Sequence, residues 1–145
     1  MSQFELQNIP EIYFKDNFLT LGLPTNNMLF PDKPMYMKDG TWNYEPDYAK
    51  INEWIGFNFA SVDTKTIGQD GTTVGRVSRV GHFIVYSYSR KKKIAVKNAD
   101  TVHNFFSGVN LDEDIRVDVG KYSDAIDLDN GFYELKLTFK VTQYS

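Results

Sequence analysis

From residue 133 to residue 142, apolar and polar side chains alternate without a break. Tyr133, Leu135, Leu137, Phe139 and Val141 fall on one side, and Glu134, Lys136, Thr138, Lys140 and Thr142 on the other. A period of two predicts a strand with one buried face. Trp54 to Val62 reads the same way. Trp54, Gly56, Asn58 and Ala60 alternate there with Ile55, Phe57, Phe59 and Ser61. Arg76 to Ser89 carries bulk on both sides, with Val80, His82, Ile84, Tyr86 and Tyr88 on one and Phe83 and Val85 on the other. Such a strand is expected to be central or covered twice. Ile115, Val117 and Val119 alternate with Arg116 and Asp118 and predict a half-buried strand.

Two segments follow the helical period instead. Ala95, Ala99, Val102, Phe106 and Val109 are spaced by four, three, four and three, an amphipathic stripe with Gly108 near its end. Near the start, Phe14 and Phe18 share a helical face. The helix is expected over about residues 3–20, firmer after Pro10, whose missing N–H costs nothing in a first turn. Gly22 and Pro24 should stop it.

Between these elements the signals are turns and loops. Residues 22–52 hold four of the five prolines and read as irregular, apart from a short extended piece at Met35-Tyr36-Met37. Asp63 to Gly75 is polar and reads as a long hairpin loop. Asn130-Gly131 suits the positive φ angles of a tight hairpin. The elements therefore run α-β-β-β-α-β-β. The expected fold class is α+β, one domain over residues 1–145, with a single mixed, mostly antiparallel sheet covered by two helices.

Composition narrows the function classes. The chain has 145 residues, room for one core. It contains no cysteine, so disulfides, thiolate metal sites and cysteine nucleophiles are excluded. Aromatic residues make up 15 %, and Tyr and Trp suit interfaces as well as cores. The net charge of −3 gives no global pull toward nucleic acid or an anionic membrane. No stretch approaches the roughly 18 apolar residues of a membrane span. The start, Met1-Ser2-Gln3-Phe4-Glu5, has neither a basic nor an apolar region of a secretory signal.

No catalytic, cofactor or metal constellation emerges, and the expectation is a protein that is not an enzyme. His82 and His103 lack the partners and spacing of a metal site. The glycines of Gly68-Gln69-Asp70-Gly71-Thr72-Thr73-Val74-Gly75 lack the Gly-Lys-Ser/Thr ending of a phosphate loop and precede a strand. Asp124, Asp127 and Asp129 precede Gly131, but from Asp127 the glycine comes a residue early and the closing Glu of a calcium loop is absent. Arg90-Lys91-Lys92-Lys93 is the one strong charge block. It reads first as a solvated strand-to-helix loop, and beyond that as a contact for an acidic protein partner or for phosphates. Arg76 and Arg79 are further interface candidates.

One arrangement is more distinctive than its composition. Trp42-Asn43-Tyr44-Glu45-Pro46 leads, after a spacer, into Glu53-Trp54-Ile55-Gly56-Phe57-Asn58-Phe59. A polar glycine-containing loop, a long strand, a basic turn and a helix reading Ala99-Asp100-Thr101-Val102-His103-Asn104-Phe105-Phe106 follow. Over about residues 34–143 this resembles the tail terminator (minor tail, tail-completion) proteins of tailed bacteriophages. Trp42, Asn43, Pro46 and Trp54 stand at the motif positions, which can equally brace the fold, with Asn43 capping a turn and Trp54 filling the core. The resemblance implies a virion protein at the head-proximal end of the tail, assembled in the host cytoplasm. It implies a homo-oligomeric ring, of six in the usual case, seated on the tail-tube protein and joined to a head-side connector protein. Genomic DNA would pass through the lumen without specific binding, and no cofactor or membrane is involved. Another head–tail connector, or a tail-tube or baseplate protein, is the nearest alternative. A small nucleic-acid- or ligand-binding module is the more remote one.

Overall fold

The structure, a computed structural model, describes residues 3–23, 27–29, 35–37, 42–43, 52–67, 76–129 and 131–144. Helix α1 spans Gln3–Asn17 and runs into a 3-10 turn at Phe18–Thr20. Three short strands follow: β1 (Asn27–Leu29), β2 (Met35–Met37) and β3 (Trp42–Asn43). The long strands β4 (Glu53–Ile67) and β5 (Arg76–Ser89) lead into α2 (Lys92–Phe106). Four short strands come next: β6 (Asn110–Asp112), β7 (Ile115–Val117), β8 (Lys121–Tyr122) and β9 (Ile126–Asp127). The last strand, β10, spans Tyr133–Tyr144.

The ten described strands form one sheet in the order β3-β2-β1-β4-β5-β10-β7-β6, with β8 and β9 also paired to β10. All described pairings are antiparallel except β1 with β4. The fold is α+β, with a mixed, mostly antiparallel sheet and two helices. The element order is richer than α-β-β-β-α-β-β, because five strands precede α2 and five follow it. The added strands are two or three residues long, too short to show a period.

Both helices lie on one face of the sheet. Ile55 and Phe57 of β4, Phe83 and Val85 of β5, and Leu135, Leu137, Phe139 and Val141 of β10 point into the core. Phe14 and Phe18 of the N-terminal segment meet them there, with Ala99, Val102 and Phe106 of α2. Phe106 is the hub, its ring centroid 4.9 Å from Phe83, 5.2 Å from Phe139 and 5.4 Å from Phe14. At about 1.5–3 kcal/mol per fully buried large side chain, this layer is the main source of stability.

Three boundaries depart from expectation. Pro10 lies inside α1 rather than in its first turn. The helix continues past it because Ile9, Tyr13, Phe14 and Phe18 all pack on the core, and that packing outweighs the lost backbone bond. Strand β4 runs on to Ile67 and β5 starts at Arg76, so only residues 68–75 remain between them, and these lie outside the described residues. Cross-strand pairing carries the polar stretch from Asp63 to Ile67 as strand. Finally, α2 stops at Phe106, with Gly108 just past its end at φ 73°, a left-handed cap that only glycine adopts freely. Val109 therefore falls outside the helix it was expected to close.

Candidate assembly surfaces

The sheet face away from the helices carries the second apolar cluster. Trp54, Tyr88 and Phe132 are neighbours there, because Trp54 pairs with Tyr88 and Phe132, just before β10, precedes the Tyr133–Ser89 pair. Trp54 stacks on Tyr88 at 4.5 Å and meets Phe132 edge-on at 4.7 Å. The guanidinium of Arg90 sits over the Phe132 ring at 4.2 Å, a cation–π contact. Trp54 thus braces this outer cluster rather than the main core. Next to it Tyr86 stacks with Tyr88 at 6.0 Å, while Lys136 Nζ lies 5.8 Å from the Tyr86 ring and 3.8 Å from Glu134 Oε1. Gly56 lies opposite Tyr86, and a Cβ there would meet the Tyr86 and Tyr88 rings at ordinary contact distance.

Further along the same face, His82, Asp118, Val119, Lys121, Thr138 and Lys140 line a depression of about 430 Å³. It mixes two lysines with one carboxylate, so no single ligand charge is selected. Among the described residues, no three His, Cys, Asp or Glu side chains gather as a metal site would require. Among the described residues, no helix is long and apolar enough to cross a membrane.

A clamp joins α2 to the β7–β8 connection. His103 Nε2–H donates to the Gly120 carbonyl at 3.0 Å, and the Gly120 N–H donates to Ser107 Oγ at 3.1 Å. The Tyr122 ring stacks on His103 at 4.6 Å, and its hydroxyl donates to Asp100 Oδ1 at 2.8 Å. Partial burial and the Asp100 carboxylate together push the Tyr122 phenol up to about 12. His103 is therefore structural here. His82, mid-strand on β5, lines the outer depression.

The sequence candidates disperse over this frame. Trp42 and Asn43 form β3, at the edge of the sheet, so Asn43 is a strand residue and not a turn cap. Pro46 lies outside the described residues. Arg76 opens β5. Arg79, half-buried on the same strand, has its Nη1 atom shut from solvent with no hydrogen-bond partner among the described residues. Arg90 joins the Trp54 cluster. Lys91 is the N-cap of α2, and Lys92 and Lys93 belong to its first turn, so the basic run is partly helix rather than wholly loop. Arg76 and Arg79 are ten or more residues of strand away from Arg90 and form no common patch with it.

Phe132 and the Tyr122–Asp100 pair escaped sequence reasoning. The alternation of the last strand, carried back from Glu134, does place Phe132 on the outer face. Nothing in the spacing of Asp100 and Tyr122, 22 residues apart, signals their hydrogen bond.

No protein-family model and no curated protein matches the chain. Among solved structures, it is similar to a chain of a virion of native gene transfer agent (GTA) particle. The TM-score is 0.49 at 10 % sequence identity, with 89 % of this chain and 84 % of that chain covered. A likeness of that degree carries no argument about function.

Proposed function

We propose that the protein is a structural component of a phage-like virion that forms a ring at the head-proximal end of the tail tube. There it stops tube polymerisation and offers the joining surface for the head-side connector. In this reading no catalysis and no cofactor is required.

The observation that carries the reading is the layout of the motif-bearing elements. A Trp-led strand (β4) and a second long strand (β5) form a long hairpin, paired from Glu53–Ser89 to Ile67–Arg76. The helix with the Ala-Asp…Phe pattern packs against the base of this hairpin, with Ala99 and Phe106 fully buried. This is the arrangement that the resemblance to tail terminators implies. A long hairpin braced by a packed helix suits a head-to-tail contact that closes by rotation into a ring.

The test is mass photometry of the purified protein, alone and mixed with the tail-tube protein of the same virus, followed by imaging of the tubes. Ring-sized particles bound to one tube end, with tube growth arrested, are expected. A protein that stays monomeric and never sits at tube ends sinks the reading.

A further inference from the structure

The charge of the molecule is arranged in two poles along α2. At one end Lys91, Lys92 and Lys93 are all exposed. They crowd the start of a helix whose first turn has no acidic residue and whose N-cap makes no side-chain bond. Helix starts carry a partial positive charge and favour carboxylates, so three lysines there oppose the local field. At the other end Asp112, Glu113 and Asp114, all exposed, form the turn between β6 and β7. That turn lies beyond the negative end of α2, so each pole reinforces the helix dipole instead of offsetting it.

The poles cannot neutralise one another within a molecule. Lys91 follows Ser89, whereas the acidic turn adjoins Ile115, which is level with Gln143 and so with Arg79. Ten residues of strand separate Ser89 from Arg79, about 33 Å at about 3.3 Å per residue. Charges this far apart are screened from each other beyond about 8 Å at physiological salt. The nearby countercharges are few. Arg116 flanks the acidic turn; Glu53 pairs with Ser89 across β4–β5 and accepts a bond from Asn98 of α2, and Asp127 and Asp129 lie across β10 from Ser89. Among the described residues, the lysines at 91–93 and the acids at 112–114 form no ion pairs.

We propose that the two poles are the two halves of one contact between copies of this chain, with Lys91–Lys93 of one molecule meeting Asp112–Asp114 of the next. Three positive charges face three negative ones, at sites on opposite ends of the same molecule. Such a contact is heterologous and repeats head to tail. Opposed patches of this kind steer association and fix its register. Only the closure of that contact into a ring rests on the function proposed above.

The experiment uses the full chain and two charge-reversed variants, Lys91→Glu/Lys92→Glu/Lys93→Glu and Asp112→Lys/Glu113→Lys/Asp114→Lys. Native mass spectrometry and mass photometry would follow self-association at low and high salt, with circular dichroism confirming the fold. The unmodified protein should associate, and high salt should weaken it. Each variant alone should lose association on the order of tenfold or more. An equimolar mixture of the two should recover it, because every junction in an alternating assembly again pairs opposite charges. Should a reversed variant fail to fold, Lys→Gln and Asp→Asn (with Glu113→Gln) versions and the salt response of the unmodified protein carry the same test.

Variants that assemble as well as the unmodified protein would overturn the pole contact and leave the ring reading standing. Salt-sensitive open chains that never close would support the contact and remove the ring. A protein monomeric at every concentration would overturn the contact. So would lysine variants that lose retention on DNA while their oligomeric state is unchanged, since the lysines would then be a phosphate surface.

Discussion

At the residue scale, Gly120 shows how little room the clamp leaves. A Cβ at this position would lie 2.5 Å from Cε1 of Phe139, inside any real contact distance. Gly120→Ala must therefore push the Phe139 ring into a layer that is already packed, and overpacking of this kind costs about 1–3 kcal/mol. A chemical-denaturation midpoint shift of that size is expected, and an unchanged midpoint would contradict the close approach. Tyr122 gives a second residue-level readout. Its phenol ionises at about 12 in the folded protein against 10.0 ordinarily. The unfolded chain thus loses this proton first as pH rises. The stabilisation from Tyr122 is complete below about pH 10 and disappears by about pH 12. Asp100→Asn keeps an acceptor but removes the charge, so the phenolate absorbance of Tyr122 should titrate at lower pH than in the unmodified protein. Asp100 and Tyr122 gave no sign of this pairing in the sequence, because a polar contact between a helix and a remote two-residue strand follows from tertiary placement alone.

At the scale of elements, α1 is a helix kept in spite of its sequence. Pro10 removes one backbone bond, and its ring crowds the carbonyl four residues back, which can cost about 3 kcal/mol. The Tyr13–Phe105 stack at 4.8 Å and the Phe14–Phe57 stack at 6.0 Å hold the segment on α2 and the sheet. Pro10→Ala should restore the bond and raise the melting temperature, by up to about 3 kcal/mol in stability; a lower melting temperature would mean that the proline ring itself fills the core. Elements with strong periods were legible from the sequence. The alternation of residues 133–142 became β10, and the stripe from Ala95 to Phe106 became α2. The strands of two or three residues were not, because they owe their state to a neighbour. Lys121–Tyr122 and Ile126–Asp127 are strands because β10 offers them bonds, and their own side chains at these positions are exposed. The polar composition of Asp63–Ile67 suggests a loop for the same reason, and hides a pairing supplied by β5.

At the scale of the molecule, the two sheet faces divide the work. One is sealed by α1 and α2 over a phenylalanine layer. The other buries Trp54 and Phe132 against Tyr88 and Arg90, beside lysines 121, 136 and 140. Sequence reasoning placed the aromatic residues of the central strand on the right faces but could not tell which face the helices would take. Val80 to Tyr88 carry bulk on both sides, and it is Phe83 and Val85 that lie inward. The helices chose the side that Ile55, Phe57, Leu137 and Phe139 made continuous across three strands. The motif positions at Trp42 and Trp54 consequently lie on the sheet's outer strand and outer cluster, away from α2.

The strand order also sets a timetable. β10 sits between β5 and β7, yet the ribosome makes it last of all the described elements. Tyr133 pairs with Ser89, synthesised 44 residues earlier. At about 5–20 residues per second, β5 waits roughly 2–9 s with one flank open. During that interval the nascent chain shows the open edge of β5, with Phe83, Tyr86 and Tyr88, to its surroundings, and a neighbouring nascent copy offers the same flank. Crowded synthesis from one messenger thus puts correct closure by β10 in competition with strand exchange between chains.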